Sequence, residues 1–230
     1  ATATTTATIY FAAADCTGHG VPGAMVSVVC SNALSKALLE EKITDTGKIL
    51  DRTRELVIEK FSKSAELSKN EEGDIIKDGM DISLCSLNGN KLQWSGANNP
   101  LWIVRRNEGQ GTEVNHSSPA PCPFSLTEFK PDKQPVGKSP VQKPFITHEI
   151  ELQEGDTIYI FTDGYEDQFG GDPSSRSGGK KFKAAQLKKL LLSITDKSMD
   201  EQKLFLDEAF EKWRGNFEQV DDVCVIGIRI

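Results

Sequence analysis

The sequence predicts an α+β fold with a mostly antiparallel sheet. Three observations carry this. Apolar residues recur at helical spacing in two pairs of segments, one pair near each end of the chain; the stretch between them changes to a period of two; and Asn88-Gly89 has the chemistry of a tight hairpin turn.

Taken in order, Thr8 to Ala14 is small, β-compatible and mostly apolar, a buried strand running into Asp15. Gly18-His19-Gly20 makes a corner. Pro22 then stands where a first helical residue belongs, and Met25, Val28, Val29, Asn32, Ala33, Ala37 and Leu38 mark the inner face of a helix reaching Glu41. A second helix starts at Asp45 or Thr46, with Ile49, Leu50, Leu56, Val57 and Phe61 on one face, and Lys69 to Lys77 is a polar connection. Ile82, Leu84 and Leu87 lead through Asn88-Gly89 to a return strand Leu92 to Trp94, and Leu101 to Val104 is a further strand.

Asn107 to Pro144 reads as a long irregular segment holding one or two short edge strands. Phe145 to Leu152 and Thr157 to Thr162 flank Glu154-Gly155-Asp156, which has the residues of a hairpin turn. Gln168 to Lys181 is a glycine-rich loop expected to form a flap, and Ala184 to Leu192 a helix. Ser198 with Glu201 forms a capping box that opens a helix to Trp213, its apolar stripe being Leu204, Phe205, Ala209, Phe210 and Trp213. Val223 to Ile230 is almost continuously apolar, the pattern of a central buried strand.

The 230 residues carry 27 basic and 34 acidic side chains, a net charge of −7, which argues against a non-specific nucleic-acid binder. No run is expected to supply the ~20 apolar residues of a membrane helix. The five cysteines form no CxxC pair, so neither a zinc knuckle nor a disulfide framework is indicated, and a reducing cytoplasm suits them. The start lacks Met, a basic segment and a cleavage signal, and it reads as a cut from a longer chain.

The chemistry points to carboxylates. Asp15, Asp163 and the pair Asp221-Asp222 each stand at one end of an apolar strand, where a bare carboxylate is costly unless a cation neutralises it. Oxygen ligands without Cys or His at ligand spacing select hard cations such as Mg²⁺ or Mn²⁺. Strand ends are also often acidic merely because they meet solvent.

The words around these aspartates narrow the choice. Asp15-Cys16-Thr17-Gly18-His19-Gly20-Val21-Pro22-Gly23-Ala24 resembles the DxxGHGxxAA segment of the bacterial SpoIIE-type, RsbU-like branch of the PPM, or protein phosphatase 2C-like, serine/threonine phosphatases. Gly96-Ala97-Asn98-Asn99-Pro100 resembles that branch's AGHNP turn, Phe161-Thr162-Asp163-Gly164 its [YF][ST]DG motif, and Asp221-Asp222-Val223-Cys224-Val225 its terminal DDxT strand.

The resemblance implies one domain over residues 1–230, with two mostly antiparallel sheets packed as a sandwich between helix pairs, and two Mn²⁺ or Mg²⁺ ions that activate a water against phosphoserine or phosphothreonine. By motif matching Asp15 bridges the ions, the carbonyl of Cys16 completes one shell, and Asp163 and Asp221 bind from other strands. Asp222 stands behind them, the motif leaving open which of Asp221 and Asp222 turns inward, and Asp167 is a weaker further ligand. His19 is either the proton donor to the leaving oxygen or a structural residue of the corner. The implied partners are a phosphorylated STAS-type anti-sigma-factor antagonist, an N-terminal sensor region for which this domain is the C-terminal output module, and a second copy in a homodimer.

Departures qualify the match. The family's upstream GGD-like segment, whose aspartate completes the dimetal site, does not occur before Asp15, and Cys224 replaces the usual Thr. Lys180, Lys181 and Arg176 are the basic residues nearest the motifs, so no arginine is evidently dedicated to the substrate phosphate. Cys16 lacks the CxxxxxR loop of a thiol phosphatase. The alternative is a non-catalytic signalling module that keeps the fold and binds a partner; a third reading is a hydrolase of small phosphate esters.

Overall fold

The computed structural model describes residues 7–18, 20–67, 79–107, 123–140, 142–171 and 179–230, with side chains of the second stretch given to residue 62. The chain divides into two compact units, Ala1–Leu101 with Lys130–Leu152, and Trp102–Phe129 with Gln153–Ile230. Antiparallel pairing prevails wherever strand direction is defined, as the sequence predicts.

In the first unit β1 (Ile9–Cys16) runs into α1 (Gly20–Ser35), which continues through a π-helical turn Lys36–Glu40 and is followed by α2 (Thr46–Leu67). β2 (Gly79–Asn88) and β3 (Lys91–Ala97) form the predicted hairpin. The sheet runs β1-β2-β3-β7, where β7 is His148–Glu151, and β6 (Val136–Gly137) also pairs with β2. Successive strand residues alternate faces. Tyr10, Ala12 and Cys16 therefore join Ile82 and Leu84 against Val26, Cys30, Ala33, Ile49, Leu50 and Val57 of the helices. Ala13, Ser83, Cys85 and Trp94 are buried on the opposite face. Asp45 caps α2 by accepting from the Lys48 N–H at 2.9 Å, and Thr46 bonds Ser95 across to β3 at 2.8 Å.

The second unit holds a four-stranded sheet, β11-β8-β4-β5. Its strands are β4 (Leu101–Arg106), β5 (Phe124–Phe129), β8 (Thr157–Phe161) and β11 (Val225–Arg229). A short helix α3 (Gly164–Asp167) follows β8. The two-stranded ladder of β9 (Phe169–Gly170) and β10 (Lys180–Lys181) forms the base of the expected flap, whose residues 172–178 lie outside the described ones. α4 (Ala184–Ile194) and α5 (Met199–Arg214) complete it. Trp102, Tyr159, Phe161, Leu187, Leu191 and Phe210 share one core, and burying side chains of this size stabilises by about 1.5–3 kcal/mol each.

Five expectations are corrected. α1 buries Gly23, Val26, Cys30 and Ala33 and leaves Met25 and Val28 exposed, because a helix apolar nearly all round has no polar face to orient it. Gly20–Glu40 is a helical run of 21 residues with mean hydropathy 1.2, long and apolar enough for a membrane span by length and composition alone. Val26, Cys30, Ala33 and Ala37 of this run are buried against α2 and the sheet, while Val21, Met25, Val28 and Leu39 are exposed.

Glu154-Gly155-Asp156 joins strands of different sheets, since β7 pairs with β3 while β8 pairs with β11. The bend is fixed by Asp156, only 1% exposed, which takes Arg105 in two bonds of 2.8 and 2.6 Å. On α5 Leu204 and Phe205 face solvent, whereas Gln202 is buried, donating to the Lys197 carbonyl and accepting from the Tyr159 hydroxyl. Finally, β11 is an edge strand and half-buried, not central.

The capping box of α5 stands as read. Glu201 N–H donates to Ser198 Oγ at 3.3 Å, and Ser198 N–H donates to Glu201 Oε2 at 2.9 Å. Ser198→Ala should therefore lower the unfolding free energy by about 1 kcal/mol in urea denaturation.

Candidate metal centre

In the second unit two aspartates converge. β8 ends at Phe161, Thr162 turns the chain, and Asp163 takes the N-cap position of α3 without a capping bond from its side chain. The segment entering β11 runs alongside. Thr162 N–H donates to the Cys224 carbonyl at 3.0 Å, Thr162 Oγ1 donates to the Asp222 carbonyl at 3.2 Å, and Cys224 N–H donates to Thr162 Oγ1 at 3.0 Å. This bracing brings carboxylate oxygens of Asp163 and Asp221 within 4.8 Å of each other.

Gly164 lets the segments close. A Cβ there would lie 2.3 Å from the Asp222 carbonyl oxygen, closer than van der Waals contact allows. Asp221 Oδ1 accepts from the Asp222 N–H at 2.8 Å, while Asp222 itself is exposed.

Asp167 sits on α3 with its carboxylate 2.6 Å from Lys181 Nζ, both side chains 43% exposed, so a solvated ion pair engages it. Glu166 is a residue that sequence reasoning passes over. Burial first, then the charges of Asp167, Asp163 and Glu128, push its carboxyl up to about 7, and its Oε1 is buried without a hydrogen bond among the described residues.

In the first unit Asp15 and Cys16 close β1. Asp15 is half-buried, and the strand's alternation sends the Cys16 side chain to the other face, toward α1. Hydrogen bonding with Cys30 and Ser27 outweighs burial and brings the Cys16 thiol down to about 7. The corner beyond is tight, since a Cβ on Gly23 would lie 2.5 Å from the Gly18 carbonyl oxygen. His19 lies outside the described residues, as does Arg176.

Asp81 is the second residue missed. It pairs directly across from Asp15 in the β1–β2 ladder, and Asn98 Nδ2 donates to its Oδ1 at 2.8 Å. Burial raises its pKa against the opposing pull of Asn98 and Lys133. Asn98 adopts a positive φ of 58° in the turn after β3, the left-handed conformation asparagine tolerates well.

The donor set of both units is carboxylate oxygen at strand ends, which suits Mg²⁺ or Mn²⁺ and not a soft metal.

Comparison with solved structures defines the class of this architecture. The chain aligns over 98% of its length with 81% of the SiaA-PP2C domain of Pseudomonas aeruginosa, at a TM-score of 0.72 and 20% identity. It aligns over 98% with 52% of a chain holding the RsbU and RsbW domains of a Mycobacterium tuberculosis protein, at 0.63 and 16%. It aligns over 95% with 86% of the catalytic domain of the serine threonine protein phosphatase PstP, solved in complex with two manganese ions, at 0.56 and 16%. The fold is that of the PP2C-type phosphatases. No curated protein matches the sequence. The model of the Stage II sporulation protein E (SpoIIE) family matches residues 5–230, and the chain belongs to that family.

Proposed function

We propose that the chain is a metal-dependent serine/threonine protein phosphatase, with Asp15, Asp163 and Asp221 holding two divalent ions, Mn²⁺ or Mg²⁺. The observation that carries the reading is the convergence of Asp163 and Asp221, braced by Thr162, in a chain of the SpoIIE family. Two carboxylates so close favour a cation between them. Bound there, such ions lower the pKa of water to give a nucleophile at neutral pH and neutralise phosphoryl oxygens.

The protein's own part is to fix these ligands. Thr162 holds the two segments together, the Asp222 N–H orients the Asp221 carboxylate, and Gly164 permits the close approach. The Cys16 carbonyl completes one shell, Asp222 acts from behind, Asp167 is a weaker further ligand, and His19 protonates the leaving serine oxygen. The proposed substrate is a phosphorylated STAS-type anti-sigma-factor antagonist in a partner-switching pathway of the bacterial cytoplasm. An N-terminal sensor region and a homodimer complete the proposed setting. Support comes from likenesses to an RsbU domain and to a protein described under the bacterial stressosome, a modular system adapted to control secondary messenger signalling.

Turnover of a phosphoserine peptide is the test. Hydrolysis is expected with Mn²⁺, falling to background with EDTA and returning when Mn²⁺ is restored. Chelator-resistant hydrolysis, or Mn²⁺ binding without hydrolysis of any phosphoprotein, overturns the reading.

A further inference from the structure

The register of β1 against β2 sets Asp15 opposite Asp81, and directly opposed residues of an antiparallel ladder project from the same face with Cβ atoms about 4.5–5.5 Å apart. Like charges in that position destabilise the sheet. Their neighbours on this face, Ala13 and Ser83, are buried and carry no charge. Lys133 draws Asp81 electrostatically, yet no ion pair joins them among the described residues. Asp81 is nevertheless held in place. Asn98 donates to Oδ1, and Asn98 is itself anchored by its N–H to the Asp132 carbonyl at 2.9 Å. Oδ2 takes no hydrogen bond among the described residues.

A fixed, half-buried carboxylate facing Asp15 is the arrangement a divalent cation stabilises. We infer that Asp81 is a cation ligand of the centre, binding together with Asp15 from the neighbouring strand, with Asn98 as the residue that positions it. The inference rests on the metal-dependent reading above and adds a ligand that none of the four motifs contains. It also gives the Asn98 of the Gly96–Pro100 turn a role beyond turning the chain.

The test is Mn²⁺ binding by titration calorimetry and by the electron paramagnetic resonance of free Mn²⁺, on the full chain and on Asp15→Asn, Asp81→Asn and Asn98→Ala. Asp81→Asn is expected to weaken Mn²⁺ binding about 10-fold or more, and Asn98→Ala by a smaller factor. The metal-free melting temperature is the second readout: Asp81→Asn keeps an Oδ1 that accepts from Asn98, so it should melt no lower than the original, whereas a role confined to holding the fold would lower it and overturn the inference. Mn²⁺ affinity within twofold of the original in Asp81→Asn, alongside weakened binding in Asp15→Asn, overturns the inference and leaves the proposed function standing. A parent chain that binds no Mn²⁺ overturns both. If Asp81→Asn does not fold, unchanged affinity in Asn98→Ala overturns the inference instead.

Discussion

Replacing Asp163 with asparagine should lower the turnover of a phosphoserine peptide at saturating Mn²⁺ by about 10²-fold or more. Removing groups that merely orient a metal ligand costs about 10- to 100-fold, and Asp163 is proposed to touch the ion itself. The substitution keeps shape and removes one charge, so it separates chemistry from folding. Two unit charges about 4 Å apart repel by only about 1 kcal/mol in water, and Asp163 is exposed; the metal-free protein should thus be unchanged or slightly more stable. The contrast appears on adding Mn²⁺. A ligand at 100 times its dissociation constant stabilises by about 2.7 kcal/mol, so the original chain should melt higher and Asp163→Asn should show most of that shift lost. A full Mn²⁺-induced shift in Asp163→Asn would remove Asp163 from the ligand set.

The parts of this site legible in the sequence share one property: each lies where a strongly apolar strand meets a carboxylate within a few residues. Asp15, Asp163 and Asp221 interrupt such runs, and the glycines beside two of them are packed against backbone. Asp81 has no such local mark. It reads as one more polar position in β2, and its standing opposite Asp15 depends on a strand register set between residues far apart in the chain. Glu166 is missed for a related reason, since only the packing around α3 distinguishes its buried carboxyl from that of Asp167, which pairs with Lys181 in solvent.

The same limit explains the errors in the fold. Gly155 and Asp156 form a turn from local chemistry alone, but which strand each arm pairs with is decided by the sheets. Val223 to Ile230 is apolar enough for a central strand, yet composition does not count the neighbours a strand has. α1 offers apolar residues on most of its circumference, so spacing could not choose between Met25 and Val26. Where a polar face exists, as on α2, spacing chose correctly, and Ile49, Leu50, Leu56 and Val57 are all buried.

Gly164→Ala should damage both stability and the metal centre. The backbone at Gly164 is helical, so any residue could adopt it; the constraint is space. A Cβ would stand 2.3 Å from the oxygen and 2.9 Å from the carbon of the Asp222 carbonyl, and no rotamer change relieves a clash with backbone. The corner after β8 must therefore move away from the segment entering β11. Overpacking of this kind costs about 1–3 kcal/mol, and the upper end is expected because both partners are main chain. That displacement stretches the Thr162 bonds to Asp222 and Cys224 and parts Asp163 from Asp221. A misplacement near 1 Å can cost about 10²-fold in rate, so activity should fall further than stability alone predicts, with weaker Mn²⁺ binding. Gly89→Ala is the control. Gly89 has φ +60° with nothing near its missing Cβ, so alanine there meets only left-handed backbone strain of about 1 kcal/mol. Urea denaturation should show both variants destabilised, whereas Mn²⁺ titration should single out Gly164→Ala; equal Mn²⁺ affinity in the two would mean that the closeness of Gly164 to Asp222 serves packing and not the placement of the ligands.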